Sequence, residues 1–114
     1  MNDKSSLYYE SAHLYLTNKN IIDLTRSIKV IPYEDIVWFY SYEIRQSWIK
    51  TARSIILKMK NGKSLSIAYL ASLGKKNNQT YEEIFKTIEQ HCPNALVGYN
   101  KENEAKFKSL NSKS

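Results

Sequence analysis

The sequence contains few of the residues on which catalytic, metal and membrane sites are usually built. It has one cysteine, so an intramolecular disulfide and a four-cysteine metal site are both excluded. Its three glycines form no glycine-rich phosphate loop. No apolar run approaches the roughly 20 residues of a membrane-spanning helix, and the N-terminus lacks the apolar core of a signal peptide. We therefore expect a cytoplasmic protein with no cofactor and no bound metal.

The composition is that of one folded domain. With 114 residues, of which 42% are hydrophobic and 25% charged, the chain can bury a single core. We expect residues 1–114 to form one domain, with disorder limited to residues 1–6 and 111–114.

Acidic residues are absent between Glu43 and Glu82, although lysine and arginine are frequent there. A surface of one sign would attract anionic partners such as lipid headgroups, nucleic acid or an acidic peptide. The alternative, which we favour because lysine is so common at strand edges, is that these residues only keep exposed hairpins soluble.

The stretch from Ser27 to Arg45 contains the most aromatic run of the chain. Its apolar residues recur at every second position, which predicts a long, half-buried β-strand. Pro32 prevents a helix from continuing into this strand. The alternation places five residues on one face: Ile36, Trp38, Tyr40, Tyr42 and Ile44.

Shorter apolar segments on either side predict further antiparallel strands, because the turns between them are short. Leu7 to Thr17 is predicted to be one strand, and Ile21 to Leu24 follows it after an asparagine-rich turn. Arg53 to Leu70 is predicted to be a hairpin that turns at Asn61 and Gly62.

The parity of the apolar residues decides which turn this hairpin uses. A two-residue type I′ turn would place Leu57 opposite Ser66 and divide the apolar residues between two faces. A type I turn with Gly62 as a left-handed bulge residue pairs Leu57 with Leu65, and Ile55 with Ile67. We predict the bulged turn.

The C-terminal third predicts helices. Thr80 and Glu83 fit a capping box at the start of a helix, and Pro93 ends it. Between them, apolar residues recur at helical spacing: Tyr81, Ile84, Phe85, Ile88 and Cys92. Beyond a short extended piece at residues 95–98, Asn100 is expected to cap a second, mostly polar helix. That helix would make its contacts through Phe107 and Leu110.

Two segments resemble bacterial pleckstrin-homology-like (PH-like) domains: residues 14–22, LYLTNKNII, and residues 31–36, IPYEDI. The resemblance covers roughly residues 14–92 and implies an α+β fold. In that fold a bent antiparallel sheet, or partly open barrel, of six to seven strands is capped by a C-terminal amphipathic helix. Because little chain precedes Leu14, a seven-stranded barrel would either be incomplete or start with Leu7 to Ala12. The tail after Pro93 would mark an uncharacterised subfamily.

The same resemblance implies an adaptor or a membrane-associated binding role. Relatives that bind phosphoinositides carry a basic cluster in the first hairpin, where this chain has only Lys19. Their lipid-binding residues therefore do not carry over to this sequence.

No residue pattern indicates an enzyme. His91 and Cys92 are adjacent, but neighbours on a helix point about 100° apart, and Cys92 lies on the apolar stripe, where an inert thiol is expected. Glu34 and Asp35 precede a strand, where acidic residues commonly cap a turn. We expect a protein that is not an enzyme.

The candidate ligand-binding residues are Arg45, Trp48, Lys50 and Arg53. Core packing is favoured for Trp48 over a role in ligand contact. If the ring is exposed, we rank binding to a protein or peptide first, which includes pairing at an open strand edge. An anionic membrane surface ranks second and nucleic acid third. We give equal weight to the interpretation that these residues only keep the surface soluble. An uncovered strand edge would also allow self-association.

Overall fold

The computed structural model describes residues 7–71 and 75–112, and these form the α+β fold that we expected. Eight strands in this part of the chain make two four-stranded sheets. The first sheet contains β1 (Leu7–Tyr9), β2 (Leu14–Leu16), β3 (Asn20–Asp23) and β4 (Lys29–Pro32) in that order. The second has the order β7-β6-β5-β8, from β5 (Ile36–Gln46), β6 (Ile49–Met59), β7 (Ser64–Ala71) and β8 (Leu96–Val97). The helices are α1 (Lys75–His91) and α2 (Lys101–Ser112).

Neighbouring strands are antiparallel, except that β8 pairs parallel to β5. The two sheets are separate within the described ranges, so they form a partly open arrangement rather than a closed barrel. No helix in these ranges has both the length and the apolar character needed to cross a lipid bilayer.

The single strand predicted from Leu7 to Thr17 is wrong, because two strands occupy this segment. A 3₁₀ turn at Glu10–Ala12 separates them, and His13 follows it in the left-handed conformation with φ of 54°. The His13 amide donates to the Glu10 carbonyl at 3.1 Å. This reversal lets β1 pair with β2.

The long strand β5 is confirmed, but its alternation is interrupted near its start. Ile36 pairs with Met59 and Trp38 with Lys58, so Val37 is an extra residue in a β-bulge. Ile36 and Phe39 consequently share the main core, whereas Trp38 lies outside that cluster. The predicted common face is therefore wrong for Ile36, because a bulge changes the parity of every residue after it.

The bulged turn between β6 and β7 is confirmed. Leu57 pairs with Leu65 and Ile55 pairs with Ile67. Gly62 has φ of 86° and donates its amide to the Met59 carbonyl at 2.9 Å. A left-handed glycine at this position keeps the apolar side chains of both strands on the core face.

Helix α1 packs against the core through the predicted stripe. Tyr81, Ile84, Ile88 and Cys92 are buried, and Phe85 is partly buried against them. The helix ends at His91, just before Pro93, as predicted. It begins at Lys75, however, so Thr80 lies inside the helix and the predicted capping box is wrong. Asn78 in this extra N-terminal part accepts a hydrogen bond from Arg53 at 2.8 Å, a long-range contact that a local cap signal does not contain.

The tail after Pro93 covers the outer face of the second sheet. Asn100 caps α2 as predicted, since its side-chain oxygen accepts from the Asn103 amide at 2.8 Å. Phe107 is buried, whereas Leu110 is 54% exposed and lines a shallow pocket with Val37 and Leu96. Helix α2 extends to Ser112, two residues into the segment predicted to be disordered. The predicted disorder of residues 1–6, 113 and 114 lies outside the described residues.

Candidate functional site

The end of the β5–β6 hairpin extends beyond the strands on either side of it. Among the described residues, β7 pairs with β6 only as far as Ala52, and β8 pairs with β5 only at Trp38 and Phe39. Past Ala52 the hairpin continues with the pairs Arg45–Lys50 and Gln46–Ile49. We call residues 45–50 the hairpin tip.

The backbone of the hairpin tip has a defined conformation. Ser47 and Trp48 form the two-residue connection between the strands, and Ser47 has a positive φ of 58°. Thr51 is an extra residue opposite β5, and its hydroxyl donates to the Ile44 carbonyl at 3.1 Å. The pairing ladder therefore holds the tip as a continuation of the sheet.

Trp48 is the most exposed large apolar side chain of the described chain. Its exposed fraction is 82%, and that of the neighbouring Ile49 is 62%. The predicted core packing of Trp48 is therefore wrong. The reason is geometric, since a tight two-residue connection keeps the ring at the end of the hairpin and leaves no length of chain to fold back over the core.

Arg45 lies against the tip. Its guanidinium donates to the Trp48 carbonyl at 3.5 Å and contacts the Glu43 carboxylate at 3.4 Å. Because Arg45 and Glu43 are both accessible to water, their ion pair contributes little to stability. Lys50 pairs with Arg45 through the backbone, and its side chain lies outside what the structure describes.

Arg53 is held elsewhere. Its guanidinium lies 4.1 Å from the centre of the Tyr81 ring, donates to Asn78, and contacts the Glu82 carboxylate at 3.5 Å. It therefore connects β6 to α1. The structure brings Arg45, Trp48 and the Lys50 backbone together, and it places Arg53 with the helix.

Sequence reasoning did not predict which part of the apolar face leading to the tip stays uncovered. After the bulge, Trp38, Tyr40, Tyr42 and Ile44 share the outer face of β5, and Tyr42 is exposed. The period-two pattern identified this face correctly from Trp38 onward. The pattern contained no information on which of these residues are covered by other elements. Tyr99 and α2 pack on Trp38, and this packing sets the covered part of the face.

The adjacent His91 and Cys92 do not form a nucleophile and base. Burial raises the pKa of the Cys92 thiol to about 11, and its sulfur lies 3.7 Å from the Tyr33 carbonyl oxygen. The His91 Nδ1 lies 2.8 Å from the Thr87 carbonyl oxygen, and its ring stacks on Tyr33. The thiol and the His91 Nδ1 are therefore directed at two different carbonyl oxygens and not at each other.

A cleft of about 710 Å³ lies between the β2–β3 turn and the end of α1. Lys19 and Glu34 both line it, so the charges of its rim offset each other. The Tyr33 hydroxyl behind it is buried without a hydrogen-bond partner, and burial raises the pKa of this phenol. Within the described ranges, no three histidine, cysteine or acidic side chains are grouped to hold a metal ion.

Comparison with known proteins places this site within a family. The model of a family described as a domain of unknown function, DUF6709, matches residues 18–107. The matched region contains the hairpin tip, all of α1 and the part of α2 that includes Phe107. No curated protein matches the chain.

Proposed function

The chain belongs to the DUF6709 family, and we propose that it is a non-catalytic interaction module that binds a protein or peptide through the hairpin tip. One observation carries the proposal: Trp48 is 82% exposed at the end of a hairpin whose backbone is fixed by pairing. With the adjacent Ile49, Trp48 forms a contiguous exposed apolar surface, and such patches commonly mark binding sites.

The chemistry of the tip suits a protein interface. Tryptophan and arginine are the residues most enriched among those that dominate binding energy. Trp48 and Arg45 meet that description, and Ile49 adds apolar area beside them. Because strand pairing already fixes the backbone of the tip, binding would not have to order the main chain as well.

The rest of the structure supports a module without a reaction centre. The polar contacts of His91 and Cys92 go to two different carbonyl oxygens and not to each other, which argues against nucleophilic catalysis. An adaptor role is also what the resemblance to bacterial PH-like domains implies, and the α+β architecture capped by α1 supports that resemblance. We place the domain in the cytoplasm, where a lone, free thiol such as Cys92 is commonplace.

Affinity measurements on hairpin-tip variants test the proposal. The wild-type domain would be used to isolate a partner from its host organism, and the affinity of the purified pair would then be measured. We expect Trp48→Ala to weaken binding by about tenfold or more, as for a residue that dominates an interface. Tyr69→Ala is the matched control, because Tyr69 is an exposed aromatic on β7 and not part of the tip. Equal affinities for the wild type and Trp48→Ala would refute the proposal.

An anionic membrane surface is the second candidate, and Arg45 is the observation that favours it. A cation beside an exposed tryptophan and isoleucine matches the side chains that anchor proteins at a bilayer interface. Co-sedimentation with vesicles that contain or lack acidic lipid would distinguish this candidate. It requires binding that depends on acidic lipid, falls with salt, and is lost in Arg45→Ala and Lys50→Ala.

Arg53→Ala serves as a comparison in the vesicle assay, because the Arg53 side chain is held by α1. If Arg53→Ala abolished vesicle binding while Arg45→Ala did not, the tip would not be the contact. Nucleic acid stays the third candidate, and a gel-shift series in rising salt tests it directly.

A further inference from the structure

A second exposed apolar surface crosses the first sheet, on the face opposite the core. The register pairs Tyr8 with Tyr15, Tyr15 with Ile22, and Ile22 with Val30. These four residues form one continuous row across β1, β2, β3 and β4. We call this row the outer ladder.

The outer ladder faces away from the core. Its neighbours along the strands, Leu14, Leu16, Ile21 and Ile31, are buried in the core, and side chains alternate between faces along a strand. Val30 is 56% exposed, Tyr8 50% and Tyr15 39%, while Ile22 is partly buried. The solvent face of an antiparallel sheet usually carries polar residues, so an apolar row in register is a candidate contact surface.

The second sheet shows how this chain covers such a face. Trp38 and Tyr40 lie on its outer face, where Tyr99 and helix α2 pack over them. Phe107 of α2 contacts Trp38 with ring centroids 5.5 Å apart. A largely polar helix with an apolar anchor is therefore the kind of element that packs on an outer sheet face in this fold.

The turns at the two ends of β3 carry exposed basic residues, of which Lys19 also lines the cleft that contains Glu34. Lys19 lies in the β2–β3 turn and Arg26 in the β3–β4 turn, so an exposed cation stands at each end of β3. Asp23 is the one acidic residue from position 11 to 33; it is buried and accepts hydrogen bonds from Thr25. Glu10, in the 3₁₀ turn after β1, lies outside this pair of turns.

We propose that the outer ladder binds an amphipathic helix of a partner protein, one with an apolar stripe and acidic residues on both flanks. Three interstrand spacings of about 4.8 Å make the row roughly 14 Å long. At 1.5 Å per residue, about ten residues of helix span it. A helix lying along the row would bring its flanks towards Lys19 on one side and Arg26 on the other.

A second copy of this chain fits the outer ladder poorly. Sheet-to-sheet contact between two ladders would bring Lys19 and Arg26 of both copies together. Helix α2 offers little apolar surface beyond Leu110, and it contains three lysines against two glutamates, counted over residues 101–112. The apolar stripe of α1 is already buried in its own core. Complementary charge therefore favours an acidic helix from a different protein.

A designed peptide tests this inference on the full chain. The probe is a 14-residue helix with leucine at positions i, i+3, i+4 and i+7 and glutamate on both flanks. One comparison peptide has the same composition with the leucines spread around the helix, and another has lysine in place of every glutamate. Binding would be measured by fluorescence anisotropy, and backbone amide NMR shifts would locate the peptide.

Two substitutions within the ladder provide the decisive comparison. Ile22→Thr and Val30→Thr keep a β-branched side chain and remove apolar surface that is not part of the core. We expect the two substitutions together to lower the affinity for the acidic peptide about tenfold or more. Arg26→Glu should lower the affinity for the acidic peptide and raise that for the lysine peptide. Tyr69→Thr, on β7 of the other sheet, should leave the affinity unchanged.

The remaining outcomes would overturn the inference. These are no binding of the acidic peptide, equal binding of the peptide with scattered leucines, or shifts located away from β2, β3 and β4. Self-association that disappears in Ile22→Thr with Val30→Thr would show that a second copy covers the ladder instead. Trp48→Ala should bind the peptide as the wild type does, so failure here is distinguishable from failure of the hairpin-tip proposal.

Discussion

Removing the Phe107 side chain should detach α2 from the second sheet without unfolding the main core. Phe107 is 8% exposed and packs on Trp38, while the exposed Leu110 leaves it as the main apolar anchor of the helix. Truncation of a buried phenylalanine to alanine typically costs about 3–5 kcal/mol. An isolated helix of about 12 residues is only marginally stable in water, so we expect Phe107→Ala to release α2.

Tryptophan fluorescence reports this release directly. The chain has two tryptophans, and Trp48→Phe leaves Trp38 as the single reporter. Trp38 is buried and donates to the Gly98 carbonyl at 2.7 Å, so its emission should shift to longer wavelength when α2 leaves. The far-ultraviolet signal should fall by roughly one short helix, and the main melting transition should stay within a few degrees.

Leu110→Ala in the same background is the control, and its emission should match that of the parent. The reasoning would be refuted if Phe107→Ala kept the emission of a buried Trp38. It would also be refuted if the whole domain lost about 3–5 kcal/mol in one cooperative transition, because α2 would then be part of the main folding unit.

Three further predictions concern individual contacts. Arg53→Met should remove the cation over Tyr81 and the hydrogen bond to Asn78. Losing about 1 kcal/mol of local stability should make the amides near residues 78–81 exchange with solvent about fivefold faster, and unchanged exchange would contradict this. Gly62→Ala places a side chain at φ of 86° and should lower the urea midpoint by an amount corresponding to about 1 kcal/mol, while Asn61→Ala serves as a neighbouring comparison. Burial raises the pKa of Cys92 from 9.0 to about 11. The contribution of the neutral thiol to stability is therefore fully present below pH 9 and is lost as the pH rises towards 11, by up to about 1.4 kcal/mol per pH unit. Cys92→Ala should reduce the dependence of the unfolding free energy on pH in this range, and an unchanged dependence would refute the prediction.

The elements that the sequence predicted well are those with a strong local pattern. The β6–β7 hairpin is an example. Of the two turns considered, only the bulged turn places the apolar residues of both strands on the same face. The stripe on α1 and the Asn100 cap are also local, since each depends on residues within one or two turns. Burial at these positions follows from spacing alone.

The failures occurred where a distant contact or a single inserted residue decides the outcome. The bulge at Val37 reverses the alternation of β5, although nothing in the local sequence marks Val37 as the extra residue. The start of α1 at Lys75 involves Arg53, which is more than twenty residues away. Trp48 illustrates the converse case, since a large apolar residue is normally buried and only the position of the hairpin end leaves it exposed.

The candidate sites divide in the same way. Arg45 and Trp48 were identified from composition alone, and the structure brings them together at the tip, but it assigns Arg53 to the contact with α1. The outer ladder could not have been found from sequence. Its members come from four strands, and they become neighbours only through the strand register.

Local sequence patterns account for most of the strands and helices, because periodicity and turn chemistry act over a few residues. Which apolar faces are covered and which stay exposed depends on contacts between elements that are distant in sequence. Burial of a face requires a second element packed against it. For Trp38 that element is α2, and for Trp48 and the outer ladder the described part of the chain provides none.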